Sequence, residues 1–516
     1  MTAAALAPST IVAVVGAGTM GAGIAQVAAL AGHRVQLHDA RFGAADEGKR
    51  QVGVALERAV AKGRLAAADA AAALARIDTV VTLADAAVAK LVVEAIVEDL
   101  AAKRALFLQL EHIVEPSCIL ASNTSSLSIT ALAAGLKHPA RVVGLHFFNP
   151  APLMPLVEVV RGLTTAADVA ATAFATAAAW GKMPVHVTST PGFIVNRVAR
   201  PFYAEALRLL AEQAAAPATI DAVMRDAGGF RMGPFELMDL IGHDVNLAVT
   251  RGVWEACFRD PRFTPSLIQQ ELVAAGHLGR KSGRGFYDYG PGTVPAAAQS
   301  EAPQARPTRI AVHGDGEVWA PLVERWAAAG LVVDRGRADS RFPEGAVHVP
   351  GPGAGTWLAL TDGRTATARM ADTGVRDLVL FDLALDYATA PRLAVARADT
   401  CSDAAHAAAT GALQAAGIAV SRLDDVAGLA VMRTVAMLAN EAADAVVQGV
   451  ADASAIDLAM RQGVNYPRGP LAWADAIGPA QLRTVLVNLA AHYGEDRYRV
   501  SPLLARRAAT GGRLHG

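Results

Sequence analysis

Three glycines, an aspartate, a histidine and a glutamate have the types and spacing to do redox chemistry on a bound small molecule. Gly16, Gly18 and Gly21 form a Gly-x-Gly-x-x-Gly string directly after the apolar run 11–15 and directly before an alanine-rich stretch, 24–30. Between a strand and a helix, such glycines let the backbone approach a pyrophosphate resting on the helix N-terminus. Asp39 follows about 20 residues further on, at the end of a second strand-like run. A carboxylate there accepts hydrogen bonds from a ribose 2′-hydroxyl and repels a 2′-phosphate, so the expected cofactor is NAD rather than NADP, with Arg41 as the nearby cation that argues the other way. His146 ends the apolar run that begins at Val142, and ligands bind at the carboxyl ends of strands in such sheets. Glu158 sits inside the apolar run 155–160, where a carboxylate needs a partner and a histidine could be one. Paired, the carboxylate would orient the imidazole and stabilise its protonated form, which suits a general base near neutral pH. Read without further context, an arbitrary pair of this kind is a satisfied core histidine and a solvated edge glutamate.

Six motifs in unbroken order bear on that choice: Gly16 to Gly21, Val93 to Glu98, Ser122 to Leu127, His146 to Pro150, Thr190 to Arg197 and Gly233 to Leu237. Together they resemble the L-3-hydroxyacyl-CoA dehydrogenase family, over residues 11–289. The resemblance implies an NAD-dependent oxidation of the 3-hydroxyl of a CoA thioester to a ketone. It places the catalytic pair on His146 as base and Glu158 as its orienting carboxylate, and the groups that hydrogen-bond the reacting oxygen on Ser125 and Asn196. Cofactor contacts fall on Asp39, Glu98, Lys103, Ser125, Asn149 and Lys281, beside the three glycines. A lysine for the CoA phosphates falls on Lys62, although the family's nearby CoA-contacting serine is Ala55 here. Without the resemblance, Glu98 and Lys103 read as a solvated helical pair, Lys281 as a turn lysine, Lys62 as an exposed one, and Ser125 and Asn196 as a loop hydroxyl and a cap amide.

The elements that must position these residues follow from the patterning. Short apolar segments at 11–15, 34–38, 90–94, 118–121 and 142–146 alternate with helical stretches, as in a doubly wound Rossmann sheet. Long helical periods begin after Pro191-Gly192. The expected division is an NAD-binding domain at 1–188, a helical domain at 189–290 and a Pro/Ala/Gln-rich linker at 291–308. A degenerate, shortened Rossmann-like segment at 309–420 and a second helical domain at 421–516 complete it. The last two form an internal repeat. A shift of 236 places Ile220, Asp221 and Met224 on Ile456, Asp457 and Met460, Gly233-Pro234 on Gly469-Pro470, and Asp239 on Asp475. Near the starts the shift is 298, taking Gly16 and Gly18 to Gly314 and Gly316, so the second copy lacks about 60 residues of its nucleotide-binding half. Its equivalents of His146, Glu158 and Asn196 are Asp382, Ala394 and Met432, and Trp319 stands where the first copy has Gly21. Asp315 and Glu317 would repel a phosphate. This copy is expected to be non-catalytic, to bind no nucleotide, and to cover the helical face through which short members of the family pair.

A chain of this length with one complete and one decayed copy resembles the branch of the family that acts on 3-hydroxyadipyl-CoA in phenylacetate breakdown; 3-hydroxybutyryl-CoA is the alternative substrate. An adipyl chain carries a free carboxylate, for which Arg197, Arg200, Arg231 and Arg280 come into consideration. With 47 basic and 48 acidic side chains, nothing in the charge favours nucleic acid or an anionic membrane as a partner. Cys118, Cys257 and Cys401 have no metal-ligand spacing and read as thiols of a reducing compartment. No metal site, signal peptide or membrane span is expected, and the expected setting is a cytoplasmic homodimer. A non-catalytic protein on the same scaffold is disfavoured by the intact Ser125, His146, Glu158 and Asn196. A multifunctional enzyme with an upstream hydratase is disfavoured by a first motif at residue 11.

Overall fold

A computed structural model describes residues 4–314, 316–351 and 353–515. The chain forms two compact units, one of residues 1–197 with 448–464, the other of residues 198–447 with 465–516.

The first unit is built on eight strands: β1 (Ile11–Val15), β2 (Arg34–His38), β3 (Ile77–Val80), β4 (Leu91–Glu94), β5 (Ile119–Ser122), β6 (Val142–Phe147), β7 (Leu156–Arg161) and β8 (Met183–Thr188). Their order in the sheet is β3-β2-β1-β4-β5-β6-β7-β8. Strands β1 to β6 are parallel, and β1, β4, β5 and β6 are buried along nearly their whole length, as strands covered on both faces are. The order reverses between β1 and β4, which opens a crevice at their carboxyl ends. Strand β7 runs antiparallel to β6 in a register that sets His146 opposite Glu158. Sequence spacing of twelve thereby becomes lateral adjacency. The helix Ala453–Val464, from the C-terminal half of the chain, packs on β7 and β8 of this same unit. Thr188 anchors the segment leading to it, donating its N–H to the Val450 carbonyl and its Oγ1 to the Gly449 carbonyl, each at 2.8 Å.

The second unit joins the first copy's helices to the second copy's sheet and helices. Its seven strands are β9 (Arg309–His313), β10 (Val332–Gly336), β11 (Ala346–Val349), β12 (Thr356–Leu360), β13 (Leu378–Phe381), β14 (Arg392–Arg397) and β15 (Ala419–Arg422), in the order β10-β9-β11-β12-β13-β14-β15. The 298 shift carries β1 and β2 onto β9 and β10, and the 236 shift carries the first residues of β6, β7 and β8 onto those of β13, β14 and β15. The sequence does not announce β11, which runs antiparallel to both neighbours between β9 and β12. It fills the place that β4 has in the first sheet, so the strand beside the second copy's glycine turn runs antiparallel where the first copy has a parallel one. The glycine turn itself is blocked as well. Trp319 is 1% exposed, and its ring lies where a Cβ on Gly316 would stand, 2.5 Å away. Asp315 falls outside the described residues.

Candidate active site

At the carboxyl end of β1, Gly16 has φ +102°, and a Cβ there would lie 2.5 Å from the Ala95 carbonyl oxygen. A Cβ on Gly21 would overlap the Gly16 carbonyl, whereas one on Gly18 would meet nothing within 4 Å. Two glycines thus allow the turn to close, and the third leaves open space above the N-terminus of the helix Thr19–Leu30, as a pyrophosphate requires. Asp39 accepts the Ala17 N–H and the Arg41 N–H, both at 2.9 Å, tying the end of β2 to the glycine turn. Burial raises its carboxyl's proton affinity, but these bonds and the Arg41 charge outweigh that and hold it ionised below its usual range.

Glu98 accepts from Thr124 Oγ1 at 2.6 Å and from the Ser125 N–H at 2.9 Å, with Ser125 Oγ at 3.3 Å. Burial pushes its carboxyl up, and these donors with the Lys103 charge bring it below its ordinary value. Lys103 is 1% exposed and reaches Glu94 at 2.5 Å and Glu98 at 3.3 Å. Its ammonium is therefore engaged by carboxylates and acts through Glu98, where a solvated helical pair would have left it in water. Glu94, Ser122 and Thr124 belong to this network and were missed by the motif reading: Ser122 Oγ donates to Glu94 at 2.6 Å. For Glu94 the signal was the one that marked Glu158, a carboxylate in an apolar run.

His146 Nδ1 lies 2.6 Å from Glu158 Oε2, with the carboxylate fully buried and the imidazole nearly so. The other oxygen, Oε1, accepts the N–H groups of Ile194 and Val195 at 3.0 Å each. Phe193 adopts a left-handed φ of 51° to turn those groups toward the carboxylate. Phe148 and Phe193 flank the imidazole, with ring centroids 4.5 and 5.9 Å from it. Asn196 Nδ2 donates to the Ser125 carbonyl at 3.3 Å, and Asn123 Oδ1 accepts the Phe147 N–H at 2.9 Å, linking the 122–127 loop to the histidine strand. Ser125, His146, Glu158 and Asn196 are thus brought together. Asn149 is exposed just beyond β6, Lys62 is exposed one residue past the helix Ala44–Ala61, and Lys281, in the other unit, pairs with Asp244 at 2.5 Å. Among the described residues no group of His, Cys, Asp or Glu could hold a metal ion, and no helix is long and apolar enough to cross a membrane.

Comparison with known proteins agrees with this geometry. The family profile "3-hydroxyacyl-CoA dehydrogenase, NAD binding domain" matches residues 11–190, and that of the C-terminal domain matches twice, at 192–289 and 428–515. The chain belongs to the 3-hydroxyacyl-CoA dehydrogenase family. It is an NAD-dependent oxidoreductase of that family, and the two C-terminal matches start 236 residues apart, the interval of the repeat. Residues 358–426 match a "3-hydroxybutyryl-CoA dehydrogenase reduced Rossmann-fold domain". The chain is 45% identical over 498 residues to the 3-hydroxyadipyl-CoA dehydrogenase of Escherichia coli K12, covering 96% of this chain and 97% of the relative. A probable 3-hydroxybutyryl-CoA dehydrogenase of Bacillus subtilis is 44% identical, with 96% of its length matching 54% of this chain. A crystal structure of 3-hydroxybutyryl-CoA dehydrogenase from E. coli K12 superimposes with a TM-score of 0.88 at 43% identity, covering 97% of this chain and 98% of that one.

Proposed function

We propose that the protein oxidises (S)-3-hydroxyadipyl-CoA to the 3-oxo thioester with NAD, His146 being the general base. The observation that carries the substrate is the near-complete match to the E. coli relative of that name, against half-chain matches to the short 3-hydroxybutyryl-CoA dehydrogenases. The second reading, 3-hydroxybutyryl-CoA, is favoured by the full-length structural match, an E. coli 3-hydroxybutyryl-CoA dehydrogenase.

A carboxylate can only accept, so Glu158 keeps the ring proton of neutral His146 on Nδ1 and leaves the lone pair on Nε2. Nε2 then takes the proton of the substrate 3-hydroxyl while Glu158 stabilises the imidazolium that forms. Ser125 and Asn196 hydrogen-bond the reacting oxygen and hold it toward the imidazole. NAD supplies the hydride acceptor when bound. Gly16, Gly18 and Gly21 would admit its pyrophosphate and Asp39 its ribose, while Glu98, Ser125 and Asn149 would complete the contacts made from this unit, with Lys103 holding Glu98 from behind. Lys62 would meet the CoA phosphates. Residues 1–188 and 189–290 carry the chemistry, and 309–420 and 421–516 contribute none. Two chains form a homodimer, which sedimentation would test, and three cysteines that form no disulfide among the described residues suit a cytoplasmic setting.

The deciding experiment is steady-state kinetics with both thioesters and NAD. A kcat/KM at least tenfold higher for the adipyl thioester is expected; equal or better turnover of the butyryl thioester would transfer the assignment.

A further inference from the structure

Arg200, the first residue of the helix Arg200–Ala211, is 5% exposed. Other guanidiniums buried in the same unit meet carboxylates: Arg433 and Arg497 meet Glu205, and Arg262 meets Glu441 and Asp444. Arg200 meets none among the described residues. Its Nη1 donates to Thr250 Oγ1 at 3.1 Å, its guanidinium carbon lies 4.8 Å from the centroid of the Tyr203 ring, and its Nε has no acceptor. Tyr466 is also buried and interacts electrostatically with Arg200, and its hydroxyl too has no partner. Arg200 lines a cavity of about 130 Å³ together with Tyr203, Thr250, Ser266, Arg208 and Arg497. Of the three arginines that border this space, Arg208 pairs with Glu495 and Arg497 with Glu205, which leaves Arg200 without a carboxylate, and no aspartate or glutamate lines the cavity itself.

An uncompensated buried cation costs several kcal/mol, and guanidinium does not escape the cost by losing its proton. The cavity is therefore incomplete without an anion. Its size admits a small one, and the fork of Arg200 with the neighbouring hydroxyls matches a planar carboxylate.

We propose that this cavity is a carboxylate-binding subsite with Arg200 as the counter-ion. Two sources share the chemistry: the free end of a dicarboxylic acyl thioester, which rests on the function proposed above, and a separate small carboxylate. Arg200 follows Asn196 by four residues in the chain, and a short neutral acyl group would make no use of it.

The test compares wild type with Arg200→Met, Arg200→Lys and Arg200→Gln, the last keeping a donor for Thr250 if the methionine variant fails to fold. If the substrate supplies the carboxylate, the ratio of kcat/KM for 3-hydroxyadipyl-CoA to that for 3-hydroxybutyryl-CoA falls about 10- to 100-fold in the methionine or glutamine variant, and lysine restores part of it. If a free carboxylate is the occupant, the ratio is unmoved, but glutarate raises the Tm of wild type and not of the uncharged variants. An unmoved ratio together with no glutarate stabilisation overturns the proposal. A wild type that does not prefer the adipyl thioester overturns the substrate assignment alone, and the glutarate arm still decides the subsite.

Discussion

Glu158 does two jobs with two oxygens, and the repeat separates them. One oxygen orients His146, and the other caps the turn at Ile194 and Val195. In the second copy Asp382 occupies the histidine position and caps the equivalent turn, accepting the N–H groups of Ala430, Val431 and Met432 at 2.8–2.9 Å. The structural task survived there and the base did not. His146→Gln should therefore lower kcat by at least about 1,000-fold, while NADH binding, followed by fluorescence titration, stays close to wild type. Glu158→Gln can still accept the two backbone N–H groups, but its amide donates to Nδ1 and moves the ring proton to Nε2, the wrong tautomer. Its kcat should fall by about 1,000- to 10,000-fold with little change in Tm, whereas Glu158→Ala also loses about 1–3 kcal/mol of stability, read by denaturant unfolding. Asp382 provides a pH test. Burial pushes its carboxyl up to about 6, against the backbone N–H groups that favour its ionised form. With the folded value above the unfolded one, near 4, the folded state binds the extra proton. Stability is then fully present below about pH 4 and is lost as pH rises through 6, by about 3 kcal/mol. Asp382→Asn should remove that segment of the pH dependence, measured by unfolding between pH 4 and 7, and leave turnover intact.

The element that matters most beyond the sheet is the helix Ala453–Val464, which the second copy contributes to the first unit. At Gly463 a Cβ would lie 2.7 Å from Leu156 Cδ2, 3.1 Å from Val195 Cγ2 and 3.7 Å from Phe148. Val195 N–H is held by Glu158 and Phe148 flanks His146, so this glycine backs the wall on which the proposed catalytic pair rests. Gly463→Val should displace that wall and lower kcat about tenfold or more while the KM for NAD changes little, because the nucleotide crevice lies between β1 and β4. An unchanged kcat in a folded variant would show that the helix is only a cover. Strand β11 sets the second sheet apart, an antiparallel strand in the position that parallel β4 holds in the first.

For the whole molecule, the repeat is bonded across itself. In the second unit Glu205, from the first copy, takes Arg433 at 2.7 Å and Arg497 at 2.7 Å from the second, and the two cations hold its carboxyl down at about 2 against the upward push of burial. The same 236 shift carries Glu205 onto Glu441, which takes Arg262 of the first copy at 3.1 Å. Each copy thus buries a carboxylate against arginine of the other. Removing one member leaves uncompensated buried charge, so Glu205→Ala should destabilise the protein by about 3–5 kcal/mol in denaturant unfolding. Deleting residues 300–516 strips Glu205 of both partners and β7 and β8 of their covering helix. The truncated chain should aggregate or assemble differently on sedimentation; a fully active truncation with unchanged assembly would show the second copy to be dispensable.

Much of this was legible in the sequence because it depends on local order. The glycine turn, the strand runs and the 236-residue repeat are patterns along the chain, and His146 with Glu158 stood out as polar residues in apolar strands. What the sequence left open was set by contacts between residues far apart in it. Twelve residues of spacing could not say whether the histidine and glutamate meet; the antiparallel register of β6 and β7 decided it. The burial of Lys103 against Glu94, and the capping role of Asp382, depend on which strands lie side by side. Four arginines were equal candidates for a carboxylate partner by type alone. The packed structure leaves Arg231 and Arg280 exposed and buries Arg197 and Arg200, a division that the order of residues does not contain, because the cost of a charge is set by how much water and how many carboxylates surround it.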